Sequence, residues 1–350
     1  MSKKTVAIIF GGCSPEYEVS LNSSFSIINA IDREKYDVIL IGITKQGVWF
    51  RYTGLVEDIP ADKWHTYEAV LTRAFISPER GIGLVEVKGG DVVSIPVDVV
   101  FPMLHGRFGE DGTIQGLCEL AGIPCVGSGA AASALCMDKS RAHKLVSAEG
   151  IKVPKSVCFE YVPTDDEILS AAEDLGLPVY VKPVKAGSSF GISKVENAAA
   201  LVDAVKLAFF FDDAVIIEES IGGFEARCSV LGNNKLTVGR VDEIELSEGF
   251  FTFEEKYTLK TAKIHLPARV SEEMEKRITD MAKLIYKTLG CRGYCRIDVF
   301  VTKNNEIIFN EANTIPGFTD KSGYPKMMRE IGIEFPQLLD KLIELSLENV

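Results

Sequence analysis

Hydrophobic positions along this chain follow two periods, and the switches between them mark out its elements. Thr5–Phe10, Asp37–Ile43 and Val97–Phe101 are apolar nearly throughout, the pattern of buried strands in a parallel sheet. Helical stripes lie between or after them, among them Ser20–Ile31 and Gly112–Leu120. Together they predict an open parallel α/β domain over residues 1–127, ending near Val126-Gly-Ser-Gly. A second unit, 128–217, has a helix at Ala131–Ser147, strand material at Val153, Val157 and Val179–Val184, and a helix at Asn197–Phe209. In a third, 218–350, Met274, Ile278, Met281 and Ile285 form one apolar helical stripe. Ser271 is its N-cap, Glu272 and Glu273 suit the positive end of its dipole, and Gly290 stops it. The last helix, Phe335–Leu347, sets Leu338, Leu339, Leu342 and Leu345 on one side. These stripes are core and carry no chemistry.

One strand pair differs, because its polar positions are chemically special. Arg296, Asp298 and Phe300 alternate with Ile297, Val299 and Val301, and Ile307, Ile308 and Phe309 follow Lys303-Asn304-Asn305, a plausible turn. A hairpin centred between Asn304 and Asn305 sets Asp298 opposite Glu311 and Arg296 opposite Asn313, and paired residues share a face. Facing carboxylates repel, so the arrangement makes sense with a hard divalent cation between them; oxygen ligands suit magnesium shared with phosphates.

Bulk properties narrow the classes. The 350 residues suffice for two or three domains with cores of their own. A net charge of −12 argues against nucleic-acid binding while leaving room for a small anion held by local lysines. The first apolar run is too short for a signal peptide, and none reaches membrane-spanning length. The eight cysteines are scattered, and the one close pair, Cys291 and Cys295, has no histidine at zinc-ligand spacing. Reduced thiols in a cytoplasmic protein are expected.

Several loops carry candidate chemistry. Pro183-Val-Lys-Ala-Gly-Ser-Ser-Phe-Gly191 reads either as a plain turn or as an anion loop with donors from Ser188 and Ser189; no Gly-Lys-Ser/Thr ends it as a Walker A motif would. Lys182 lies near the end of the apolar strand before it, where a lone ammonium is costly unless an anion pairs with it. Phe10-Gly-Gly-Cys-Ser-Pro-Glu16-Tyr-Glu18 follows the first strand, at a carboxyl end where open sheets bind ligands, although Glu16 and Glu18 also suit a helix start. Leu104-His105-Gly-Arg-Phe-Gly-Glu-Asp-Gly112 follows another strand in the same way. Phe250-Phe-Thr-Phe-Glu-Glu-Lys256-Tyr257 is either core strand or a mobile lid, and a lid would span about 247–263.

Taken in order, these segments resemble the D-alanine–D-alanine ligase family, of three-domain ATP-grasp fold. The resemblance runs through Gly11–Ser20, His105–Gly112, Met137-Asp-Lys139, Lys182-Pro…Gly187-Ser-Ser189, Glu218, Glu225, Lys256-Tyr257, Arg296-Ile-Asp298 and Glu311–Gly317. It implies that a D-alanine carboxylate attacks the γ-phosphate of ATP, and that the amine of a second D-amino acid then attacks the acyl phosphate. By that likeness Glu16 holds the first ammonium and His105 lines its subsite, while Ser188 and Tyr257 link Glu16 to the lid. Lys139, Lys182 and Lys256 neutralise phosphates, with Ser189 in the phosphate loop. Glu218, Glu219 and the backbone near Ile221 bind adenine, and Glu225 the ribose. Asp298, Glu311 and Asn313 hold two magnesium ions, for which manganese can substitute. Arg296 and the Gly317 N–H stabilise the tetrahedral oxyanion, and Ser322 binds the second carboxylate. A homodimer is the family's expected assembly.

Second-substrate choice divides the family among D-alanine, D-serine and D-lactate. Lys256-Tyr257 places D-lactate last, since that branch is expected to carry a histidine lid. Gly239–Leu246, Glu255–Lys260 and Ala134–Val146 look most similar to the vancomycin-resistance D-alanine–D-serine ligases, with Asp242 and Phe251 at positions implicated near the second subsite. That branch usually has arginine after the serine of the second-subsite loop, where this chain has Gly323. A substrate hydroxyl would then find its partner in Asp242, backbone or water. The expectation is D-Ala-D-Ala, and D-Ala-D-Ser with relaxed selectivity. Another ATP-grasp carboxylate–amine ligase is the nearest rival. A nicotinamide oxidoreductase lacks its Gly-x-Gly-x-x-Gly, and the full acidic and basic set opposes a non-catalytic nucleotide-binding protein.

Overall fold

The computed structural model describes residues 3–187, 190–246 and 262–348, which form three sheets with helices. The first sheet has β1 (Lys4–Gly11), β2 (Tyr36–Ile43), β3 (Trp49–Tyr52), β4 (Leu71–Ile76), β5 (Leu84–Lys88), β6 (Asp91–Ile95) and β7 (Val99–Pro102) in the order β6-β5-β4-β3-β2-β1-β7. Only β2, β1 and β7 are parallel. The expected open parallel sheet is therefore mixed: β3 to β6 form an antiparallel meander. Parallel neighbours need a long crossover, and connections such as Gly89-Gly90, both at positive φ, allow only a hairpin.

Alternation along β1 sorts its residues between two cores. Val6, Ile8 and Phe10 face helix Tyr17–Ala30 and, beside it, helix Phe335–Leu347 from the far end of the chain. Ala7 and Ile9 face the other way, towards Ile114 and Cys118 of helix Thr113–Ala121. The late helix is fastened at the rim by Lys35 Nζ to Asp340 Oδ2 at 2.6 Å.

The second sheet has β8 (Ser156–Phe159), β9 (Val179–Pro183), β10 (Ser193–Val195) and β11 (Val215–Glu219), antiparallel in the order β10-β9-β11-β8. Helices Asp165–Leu175 and Leu201–Phe209 cover one face. The third sheet has β12 (Phe224–Leu231), β13 (Thr237–Val238), β14 (Asp242–Leu246), β15 (Ala262–His265), β16 (Tyr294–Val301) and β17 (Ile307–Asn313), in the order β15-β14-β12-β16-β17 with β13 beside β12. Helix Glu272–Thr288 packs on it, capped by the Ser271 hydroxyl as expected. The single helix expected over Ala131–Ser147 is two, Ala130–Met137 and Lys139–Ala148, because Asp138 breaks the first and caps the second by accepting the Arg141 N–H at 2.9 Å. Both pack against the third sheet.

The β16–β17 pair keeps the predicted partners by an unpredicted route. Val301 pairs with Ile307, so the turn is centred on Asn304, with Asn305 at φ 59°. Asn310 is then an extra residue, a bulge between Phe309 and Glu311, and past it Asp298 faces Glu311 and Arg296 faces Asn313.

Candidate active site

Strand register builds a row of charge across the third sheet. Asp242 on β14 pairs with Arg227 on β12, Arg227 with Asp298 on β16, and Asp298 with Glu311 on β17. One step along lies a second row, Ser229, Arg296 and Asn313. Arg296 grips Asp298 with both nitrogens, Nε to Oδ1 at 2.8 Å and Nη2 to Oδ2 at 2.7 Å, and Asn313 Nδ2 donates to the same Oδ2 at 3.1 Å. Burial pushes the Asp298 carboxyl above the usual range; Arg296 opposes that and Glu311 adds to it. Glu311 has Lys139 Nζ at 3.6 Å. No cluster of three or more His, Cys, Asp or Glu residues is arranged for a metal among the described residues. A cation here would use two carboxylates and the Asn313 amide oxygen, and complete its shell from elsewhere. That donor set fits magnesium shared with phosphates.

Behind this row, the second sheet contributes a buried ionic group. Lys182 Nζ donates to Glu218 Oε2 at 2.6 Å, so the anion this ammonium needs is supplied one strand away. Lys139 Nζ donates to the Ala186 carbonyl at 3.0 Å, which brings it against the glycine/serine loop. His143 Nε2 donates to the bulge carbonyl of Asn310 at 2.7 Å. Its Nδ1 lies 3.5 Å from Glu218 Oε1, and neither atom has a hydrogen-bond partner among the described residues. Burial opposes the charge on Glu218, yet Lys182 and His143 hold its carboxyl low. An unpartnered carboxylate oxygen at this depth suits an incoming N–H donor such as an exocyclic amine. Glu219 Oε1 accepts the Lys155 N–H at 2.8 Å, and Ile221 is half-buried just beyond β11. Glu225 lies on the same face of β12 as Arg227 and raises the Lys182 and Arg296 pKa values.

The first sheet presents its loops to the same place. Glu16 stands at the start of helix Tyr17–Ala30 and is buried. Two glycines make room for its carboxylate. A Cβ on Gly106 would collide with Oε2, and one on Gly187 would stand 2.7 Å from it. Gly187 belongs to the glycine/serine loop, so Glu16 joins the two segments.

His105 and Glu110 hold both polar groups of one peptide residue. His105 Nδ1 donates to the Ile315 carbonyl at 2.9 Å, and Glu110 Oε1 accepts the Ile315 N–H at 3.1 Å. Glu110 Oε2 also accepts the Gly106 N–H at 2.8 Å. With Nδ1 as donor, His105 Nε2 accepts from the Ser23 hydroxyl at 3.2 Å, and Ser23 Oγ in turn accepts the Phe318 N–H at 3.3 Å. The backbone is thus held on both sides of Gly317. Burial pushes the His105 imidazole down to about 4, against the Ile315 bond, so the ring is neutral. Burial, then Glu16, push Glu110 up to about 8 despite its two backbone bonds. Glu110 is absent from the residues singled out above; its place in the glycine- and charge-dense run His105–Gly112 was the available signal.

The remaining loop runs from Gly317 to Gly323. Ser322 Oγ accepts the Thr319 N–H at 3.0 Å and lies 2.8 Å from Thr319 Oγ1. Gly323 begins helix Gly323–Arg329 and sits over the buried Arg227–Asp242 pair. Arg227 Nε donates to Asp242 Oδ1 at 2.8 Å and Nη2 to Oδ2. Sequence alone offered Asp242, backbone or water as polar partners here and missed Arg227. Ser188, Ser189, Phe251, Lys256 and Tyr257, with most of the expected lid, lie outside the described residues.

Comparison with known proteins bears on this constellation. The family models described as D-ala D-ala ligase N-terminus and D-ala D-ala ligase C-terminus match residues 5–128 and 145–344. A D-alanine–D-alanine ligase of Caldicellulosiruptor bescii is 46% identical, covering 100% of this chain and 96% of its own. The vancomycin C-type resistance protein VanC1 of Enterococcus gallinarum is 43% identical over 99% of each. The crystal structure of the VanG D-Ala:D-Ser ligase from Enterococcus faecalis superposes with a TM-score of 0.91 at 53% identity, covering 99% of this chain and 100% of that one.

Proposed function

The chain belongs to the D-alanine–D-alanine ligase family, of ATP-grasp fold, and from that premise we propose that it joins D-alanine to a second D-amino acid at the cost of ATP, through a D-alanyl phosphate. The observation that supports this most directly is the meeting of three elements on one cluster. These are Glu16 of the first sheet, the Lys139–Lys182–Glu218 group, and the Arg296–Asp298–Glu311–Asn313 face of β16–β17.

In this reading Glu16 holds the ammonium of the first D-alanine, a charge-assisted bond in a buried setting. Glu218 Oε1 accepts from the adenine amine, Glu219 and the backbone near Ile221 flank the base, and Glu225 bonds the ribose. Lys139, Lys182, Lys256 and Ser189 hold phosphates. Asp298, Glu311 and Asn313 are the oxygen ligands for magnesium or manganese, whose charge would offset that of the phosphates. Arg296 and the Gly317 N–H would stabilise the tetrahedral oxyanion, and donors of this kind contribute about a hundredfold or more in rate. His105 and Glu110 position Gly317 by fixing Ile315. Ser188 and Tyr257 keep the linking roles their family likeness implies. Ser322, with Gly323, Asp242 and Phe251 around it, receives the second amino acid.

D-Serine joins D-alanine as a candidate second substrate because the VanG relative is named for it. The product serves wall-precursor synthesis or glycopeptide resistance, in the cytoplasm, from a homodimer. Among the described residues no helix is long and apolar enough to cross a membrane. ATP-dependent phosphate release, with D-alanine alone and with D-alanine plus D-serine, tests the reading. D-alanine-dependent release is expected, and its absence from folded protein with magnesium present overturns it.

A further inference from the structure

Gly323 has no side chain, and Arg227 takes the space. A Cβ at 323 would stand 3.1 Å from Arg227 Nη2 and 3.6 Å from Asp242 Oδ2, so a larger residue would press directly on the guanidinium. Asp242 pins that guanidinium from one side, taking Nε at 2.8 Å together with one N–H of Nη2. The fork is planar, so this grip fixes where the remaining N–H groups point. Cross-strand pairing puts Asp298 of the metal-type row on the other side of Arg227. Arg227 therefore bridges the acyl-transfer centre and the loop carrying Ser322. No described residue accepts a hydrogen bond from its Nη1. Nη1 is also not among the buried polar atoms left without a partner, so this N–H keeps access to the space beside the loop, where a ligand oxygen can accept it.

Resting on the ligase reading above, we propose that Arg227 is a specificity-determining residue for the second substrate, donating a hydrogen bond to a side-chain hydroxyl and so favouring D-serine over D-alanine. A hydroxymethyl group accepts that bond; a methyl group in its place shuts water out from the N–H and offers no acceptor in return. Asp242 then acts as a positioning residue, holding Arg227 instead of meeting the hydroxyl itself. Gly323 is the complementary half of the device, since its missing side chain gives Arg227 its place.

The test is competition. The full chain, with ATP and magnesium, receives equal D-alanine and D-serine, and mass spectrometry reads the ratio of D-Ala-D-Ser to D-Ala-D-Ala. In Arg227→Met that ratio is expected to fall at least about tenfold, with KM for ATP unchanged. Single removal leaves Asp242 as a buried lone charge, so the double variant Arg227→Met/Asp242→Leu removes both and is expected to show the same fall. A ratio within about twofold of the unaltered chain in a folded variant overturns the proposal, as does an unaltered chain that makes D-Ala-D-Ala alone. A purely structural role for the pair would lower both products together. If the unaltered chain makes neither product, the ligase reading itself fails.

Discussion

At the scale of single residues, burial decides which charges do chemistry. Asp298 is 1% exposed and is tolerated because Arg296 grips it, while Glu311, opposite it across the strand pair, has Lys139 Nζ at 3.6 Å and is proposed as a metal ligand beside it. Glu311→Ala is therefore expected to lower turnover by about a hundredfold or more, as loss of a metal ligand should, without a change in thermal unfolding. Near-normal turnover at saturating magnesium would refute the metal assignment. His105 gives a prediction in pH. Its folded pKa, about 4, lies below the ordinary value of 6.5, so the unfolded chain binds more protons between those values. Its contribution is fully present above about 6.5 and is lost as pH falls towards 4, on the order of 3 kcal/mol. Calorimetric melting from pH 7 to 4 should show a shallower acid limb in His105→Gln than in the unaltered chain; identical limbs would remove the assignment.

At the scale of elements, what was legible in the sequence is what period and pairing dictate. The amphipathic helix from Glu272 and the last helix from Phe335 have long stripes, and the structure places both as expected. Glu311 and Asn313 were matched correctly to Asp298 and Arg296, although a shifted turn and the Asn310 bulge cancel in reaching that match. A bulge leaves no pattern of its own in one sequence. The meander β3–β6 was missed because its outer strand is mostly exposed and lacks a buried face to mark it. Arg227 and Glu110 were missed for another reason: each matters through a partner far away in sequence, Gly323 for one and Ile315 for the other. The Glu110 clasp can be tested. Glu110→Ala leaves the Gly106 and Ile315 N–H groups without their acceptor and frees the backbone before Gly317. A fall in kcat of about tenfold or more is expected, with KM for ATP unchanged. An equal effect on ATP binding would point to general loosening of the fold.

At the scale of the whole molecule, the cores do not follow the order of the chain. Leu338, Leu339, Leu342 and Ile343 share one core with Val6, Ile8 and Phe101, so the two ends of the sequence are energetically one unit. Leu342→Ala should cost about 2–5 kcal/mol. It should destabilise the first sheet as much as the last helix, in a single thermal transition. Two separated transitions, with only the later part of the chain affected, would contradict this.

The same helix also sets a timetable for synthesis. The strands of the first sheet leave the ribosome well over two hundred residues before the helix that covers them, a delay of roughly 10–50 s at ordinary elongation rates. Throughout it, helix Tyr17–Ala30 covers the face carrying Val6, Ile8 and Phe10 without its later neighbour, and the part of the core that Leu338, Leu339 and Leu342 will fill stays open to other nascent chains. Glu16 and His105, proposed for the first-substrate side of the site, are carried by that unfinished sheet.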